Sequence, residues 1–177
     1  MKKLIAGAVA LTISGSAMAA ASSVGFSFGT NFFSPSTAGL VSQNGQNFTI
    51  GWALDNDVSL GVYNELSNIN SGGTISTITV NAIQISKGVM KNVSVGLNLG
   101  SGSETANAGA GGSPVLTAAT QPLADVFGAV NILSGSGDKV SGSLSATVAA
   151  RFHRNGTGAA SINLNGTNIG LAVGIMF

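Results

Sequence analysis

Few residues in this chain can do chemistry. Its 177 residues include no cysteine and one histidine, His153. A metal centre needs several His, Cys or carboxylate ligands at close spacing. No such cluster is present, so neither a metal nor another cofactor is expected. A Ser-His-Asp site would have to draw on His153 and Asp125, and serine is too abundant here for its presence to carry information. The glycine-rich pieces Gly100-Ser101-Gly102-Ser103 and Gly135-Ser136-Gly137 lack the lysine and the following helix of a phosphate loop. They read as loop and turn, and no enzyme is expected. One set of ionisable residues remains, Glu65, Asp125 and Arg151. Its chemistry is electrostatic. Two carboxylates and a guanidinium facing one another would form a structural salt bridge that satisfies buried charges, or a charged constriction that selects solutes.

Those three residues can meet only if strands bring them together, and strands are what the sequence spells. In 47–54, Phe48, Ile50, Trp52 and Leu54 share one face and Asn47, Thr49, Gly51 and Ala53 the other. In 93–100, Val93, Val95, Leu97 and Leu99 oppose Ser94, Gly96, Asn98 and Gly100. In 168–177, Ile169, Leu171, Val173, Ile175 and Phe177 oppose Asn168, Gly170, Ala172, Gly174 and Met176. The stretch 140–152 repeats the pattern. Successive strand residues point to opposite faces, so each segment has an apolar face and a small polar one. A soluble sandwich would turn the apolar face inward, and a membrane barrel would turn it to lipid. Composition favours the barrel. Charged residues make up 7% of the chain, against about 25% in ordinary soluble domains. The non-apolar faces hold Gly, Ala, Ser, Asn and Thr rather than Lys and Glu. No stretch reaches the 18 or more apolar residues of a membrane helix.

Eight strands are expected, at 24–33, 46–54, 57–66, 75–86, 92–100, 123–133, 140–152 and 166–177. Long loops (34–45, 67–74, 101–122 and 153–165) alternate with short turns at 55–57, 87–91 and 134–139. In this scheme Asp55, Asp57, Lys87, Lys91 and Asp138 sit near short turns, whereas Glu104 and Arg154 fall in long loops. The 75–86 segment changes phase near Asn81–Ile83, which a β-bulge would explain. Ala160, Ile162 and Leu164 alternate in the opposite phase to Ile169 onward, so Asn165-Gly166 is read as a bulge or the turn of an extra small hairpin. The phases point Glu65, Asp125 and Arg151 inward, in the long-loop half. Asp125 and Arg151 flank the 134–139 turn at nearly equal distances, so they should be opposite or one diagonal step apart. Tyr63, Gln84, Phe127 and Asn131 are expected in the lumen, with Gly25, Ser27, Gly29, Gly61, Gly96, Gly170 and Gly174 as its small positions. An eight-stranded barrel is only just wide enough for side chains to fill it. A narrow water path is therefore compatible with these residues and an open general pore is not.

The N-terminus has a different character. Met1-Lys2-Lys3, an uncharged run from Leu4 to Ile13 and the small residues ending in Ala17-Met18-Ala19 read as a secretory signal peptide over 1–19. The remainder, 20–177, reads as one barrel domain. Without Lys2 and Lys3 the formal net charge of +1 becomes −1. A nucleic-acid partner, which would need a basic patch, is not expected.

With its signal peptide, its alternating strands and Phe177 closing the series Leu171, Val173, Ile175, the chain resembles the small eight-stranded outer-membrane barrels of Gram-negative bacteria, the OmpA/OmpX-like group. The resemblance covers most of 20–177. It implies an all-β, antiparallel, up-and-down transmembrane β-barrel in the bacterial cell outer membrane, reached through the periplasm. Its implied partners are outer-membrane lipid and the barrel-assembly machinery, which would read Leu171, Val173, Ile175 and Phe177. The chain departs from the group in its thin aromatic content of 6%. Phe32, Phe48 and Phe152 are expected near the outer rim, and Trp52 and Phe177 near the inner one. The reading is a non-enzymatic outer-membrane barrel with a structural or surface role and room for a narrow porin-like path. The alternative is a secreted soluble β-rich adhesin or fibre subunit.

Overall fold

A computed structural model describes residues 23–36, 40–42, 44–54, 56–71, 74–107, 116–117, 120–137, 139–153 and 164–177. The segments 1–22, 108–115 and 154–163, together with 37–39, 43, 55, 72–73, 118–119 and 138, lie outside the described residues. With them go the signal-peptide reading, Asp55, Asp138, Arg154 and most of the proposed 160–164 alternation.

Among the described residues ten strands follow one another: β1 (Ser23–Pro35), β2 (Leu40–Ser42), β3 (Asn44–Ala53), β4 (Val58–Ser71), β5 (Thr74–Met90), β6 (Val93–Asn107), β7 (Leu116–Thr117), β8 (Gln121–Ser136), β9 (Ser141–His153) and β10 (Gly166–Met176). The eight long ones pair antiparallel with their neighbours, and β10 pairs back onto β1. The result is a closed eight-stranded up-and-down barrel. The short strands are additions at the long-loop end, where β2 pairs with the end of β4 and β7 with the end of β6.

The register shows how the barrel closes. One row of paired residues runs Gly25, Gly51, Gly61, Gln84, Asn98, Asp125, Arg151, Gly166 and returns to β1 at Pro35. A full circuit thus climbs from Gly25 to Pro35, ten residues along β1. Such stagger accompanies the strand tilt of about 35–45° that closes a barrel. At the β3–β4 turn, Asn56 and Asp57 take φ of 64° and 60°. Asn and Asp tolerate that left-handed conformation, and hairpin turns of matching twist require it. Gly88 N–H donates to Asp57 O at 2.9 Å, tying this turn to β5.

The strands reach further toward the long loops than the sequence pattern suggested. β4 runs to Ser71 and β5 starts at Thr74, so the loop expected at 67–74 is mostly strand. β6 continues to Asn107, so Glu104 is not a loop residue but a buried member of β6. The bulge expected near Asn81–Ile83 is absent. β5 keeps continuous register with both neighbours there, and its one shift lies between Gly88 and Met90. A second shift separates Asn131 from Leu133.

The apparent phase change has another cause, a reversal of polarity along the barrel. In the short-turn half of β5, Ile85 is exposed outside while Gln84 and Ser86 line the lumen. In the long-loop half, Ile78 and Val80 are fully buried inside, so Thr77 and Thr79, on either side of Ile78, occupy the outer face. The inward Ile and Val belong to an apolar plug of Phe33, Ile69, Ile78, Val80, Leu123 and Leu164 that fills this end. The barrel is therefore inside-out in one half and ordinary in the other.

Candidate functional site

The site lies where the two halves meet. Four consecutive residues of the closing row, Gln84, Asn98, Asp125 and Arg151, sit on four adjacent strands. Their side chains form a ladder across the inner wall. Gln84 Nε2 donates to Asn98 Oδ1 at 3.0 Å, and Asn98 Nδ2 donates to Asp125 Oδ2 at 3.3 Å. Arg151 Nε and Nη2 donate to Asp125 Oδ1 and Oδ2 at 2.8 and 3.0 Å. Asp125 and Arg151 are directly opposite across the β8–β9 hairpin. Glu65 reaches them from β4 on the far wall. Arg151 Nη1 and Nη2 donate to its Oε1 and Oε2 at 2.9 and 2.6 Å. The structure thus brings together all three ionisable residues singled out from the sequence, and points all three into the lumen.

One guanidinium spans two carboxylates, each held in the two-pronged geometry that favours Arg over Lys. The remaining carboxylate positions are also used. Glu65 accepts from Tyr63 Oη at 2.6 Å, Ser67 Oγ at 2.7 Å and Asn168 Nδ2 at 3.0 Å. Asn31 Nδ2 donates to both Ser67 Oγ and Asn168 Oδ1. The Phe33 ring covers the other side of Arg151, with its centroid 5.0 Å from Cζ, a cation–π distance. Glu65, Asp125 and Arg151 are each at most 2% exposed. Buried charges are tolerated only with such complete pairing. The set carries one formal excess negative charge, and four neutral groups, Tyr63, Ser67, Asn98 and Asn168, donate to its carboxylates.

Local sequence explains the fit. A Cβ at Gly45 would fall 2.6 Å from Asn31 Oδ1, so glycine there makes room for the Asn31–Ser67 pair. A Cβ at Gly96 would fall 2.5 Å from Phe127 Cζ, so glycine lets the Phe127 ring lie against β6. Asn31, Ser67, Asn98 and Asn168 complete the site but were not singled out from the sequence. They sit among many other Asn and Ser on the small polar face, and only the register distinguishes them.

Below the cluster the lumen is open. A space of about 180 Å³ lined by residues including Tyr63, Gln84, Phe127 and Asn131 leads toward the short turns. It continues into a mouth of about 360 Å³ bordered by Gly25, Ser27 and Gly174. Among the described residues no group of three or more His, Cys, Asp and Glu is placed to hold a metal. His153 is no partner for Asp125. It pairs across the hairpin with Leu123, and neither ring nitrogen has a hydrogen-bond partner. Leu171, Val173, Ile175 and Phe177 all face outward and are exposed. Phe177 exchanges backbone hydrogen bonds with Val24 and packs edge-on against Phe26 at 6.3 Å.

No family model matches the chain. No curated protein matches it in sequence. Solved structures do. Neisserial surface protein A is 13% identical, with a TM-score of 0.58 over 87% of this chain and 94% of its own. The N-terminal β-barrel domain of Pseudomonas aeruginosa OprF is 12% identical, with a TM-score of 0.52 over 88% and 97%. The Yersinia pestis outer membrane protein Ail, determined in a phospholipid bilayer nanodisc, is 12% identical with a TM-score of 0.50 over 88% and 99%. The fold of this chain is that of the small eight-stranded outer-membrane barrels.

Proposed function

We propose that this chain is an integral protein of a Gram-negative outer membrane, non-enzymatic, with a structural or surface role. One observation carries the reading, the reversal of side-chain polarity along the barrel. A soluble barrel keeps its apolar residues inside from end to end. Here one half turns them out, with Phe28, Phe152 and Val173 each 58–59% exposed, and leaves hydroxyls and amides inside. That arrangement suits hydrocarbon outside and water inside. The other half has an apolar plug inside and a largely polar outer face that includes Thr77 and Thr79, which suits water beyond the bilayer. A secreted adhesin or fibre subunit would have to leave the whole apolar band in water, an area far above what soluble monomers expose.

In this reading residues 1–19 are a signal peptide, 20–177 form the barrel domain, and the short turns face the periplasm. The outward series Leu171, Val173, Ile175 and Phe177 supplies the contact for the barrel-assembly machinery. A porin-like path for small solutes would have to cross Glu65, Asp125 and Arg151 and then the apolar plug. Both are packed, so the resting barrel is read as closed and the cluster as structural. Cell fractionation tests the location. The protein should be recovered with the outer membrane and should migrate faster on a detergent gel before boiling than after. Recovery in the periplasmic or culture fluid would refute the membrane reading.

A further inference from the structure

The short-turn half of the lumen is a room with one door. Its far end is closed by the Glu65–Asp125–Arg151 cluster, and above that by the apolar plug. Its near end opens between the turns. We propose that this blind chamber binds a neutral, hydroxyl-rich solute of the saccharide or polyol class.

The argument is one of chemistry by wall. The walls offer neutral hydrogen-bonding groups from every side, among them Asn47, Thr49, Ser94, Thr147 and Asn131. Lining residues carry charge only at the closed end, and that charge is already committed. Every nitrogen of the Arg151 guanidinium bonds to a carboxylate, and all four carboxylate oxygens accept from Arg151 and its neighbours. An anion entering the chamber would find no free countercharge, whereas hydroxyl groups would find many unoccupied partners. The Phe127 ring, buried against β6 by the missing side chain of Gly96, adds only an apolar edge to the wall. The space suits such a guest. An eight-stranded barrel is normally filled by its own side chains. Here serine, threonine, alanine and glycine leave about 180 Å³ inside and about 360 Å³ at the mouth. Together they fall in the few-hundred-Å³ range of small-molecule sites. The proposal concerns the lumen alone and holds whichever membrane carries the barrel.

The chain supplies its own reporter. Tyr63 is the only tyrosine and lies at the closed end of the chamber. Biosynthetic 3-fluorotyrosine therefore gives one fluorine resonance at that place. The folded barrel in detergent micelles is titrated with maltose, and in parallel with sodium glutamate of similar reach. Maltose should shift the resonance saturably with a Kd of about 1 mM, and glutamate should not. Ser145→Phe fills the chamber from β9, and the shift should disappear. Folding of each variant is checked by migration before and after boiling. If Ser145→Phe fails to fold, Ala129→Phe blocks the same space from β8. The proposal is overturned by no saturable shift with maltose, by an equal shift with glutamate, or by a shift that survives in the folded blocked variant.

Discussion

Arg151 holds the interior together. Its guanidinium donates to both Glu65 and Asp125, and Phe33 shields it. Removing one partner of a buried pair strands the others, at a cost of about 3–5 kcal/mol. Arg151→Met should therefore destabilise the barrel by about that much in denaturant titration. The triple change Glu65→Gln, Asp125→Asn, Arg151→Met should recover part of the loss, because no uncompensated carboxylate remains. A triple variant less stable than the single one would contradict this. Tyr63→Phe removes one donor to a charged acceptor and should cost about 1.5–3 kcal/mol in the same measurement. The Asp125–Arg151 contact was legible in the sequence, because both flank one short turn and a hairpin dictates which positions face each other. The approach of Glu65 was legible only as an inward phase. β4 and β9 are not neighbours, so no hairpin register links them.

At the level of strands, alternation carried most of the information. Each strand in the apolar band was readable because one face meets small polar groups and the other large apolar ones. The pattern failed beyond the band. Ile78 and Val80 point inward where Gln84 and Ser86 also point inward, so the same face changes chemistry and mimics a slip in register. Glu104 misled for a related reason. A charged residue in a stretch of Gly, Ser and Thr reads as loop, yet β6 carries it inward. The two faces predict opposite tolerances. Leu171→Arg, on the outward face, should cost about 2–4 kcal/mol in folding from denaturant into lipid. Ser143→Asp, facing the mouth, should stay within about 0.5 kcal/mol. Equal costs at the two positions would mean that the faces are assigned wrongly. Gly96→Val should drive the Phe127 ring off β6 and cost about 1–3 kcal/mol.

As a whole, the molecule is a barrel closed by side chains at one end and open at the other. Barrel closure and strand count were legible in the sequence; the plug was not, because its residues come from distant segments whose inward apolar positions look like errors of phase. A closed interior predicts that purified wild-type protein gives no conductance steps in planar bilayers, and regular steps would revive the porin-like path. The central claim, an inside-out surface facing lipid, has a more direct test in the absence of native cysteine. Single cysteines placed one at a time from 169 to 176 along β10, and spin-labelled in lipid vesicles, report their surroundings through collisions with oxygen or with a water-soluble nickel complex. Labels at Ile169, Leu171, Val173 and Ile175 should collide with oxygen in the bilayer, and those at Gly170, Ala172 and Gly174 should not. Labels at the odd positions shielded from both quenchers, with the even positions open to nickel, would instead describe a soluble sandwich and contradict the account.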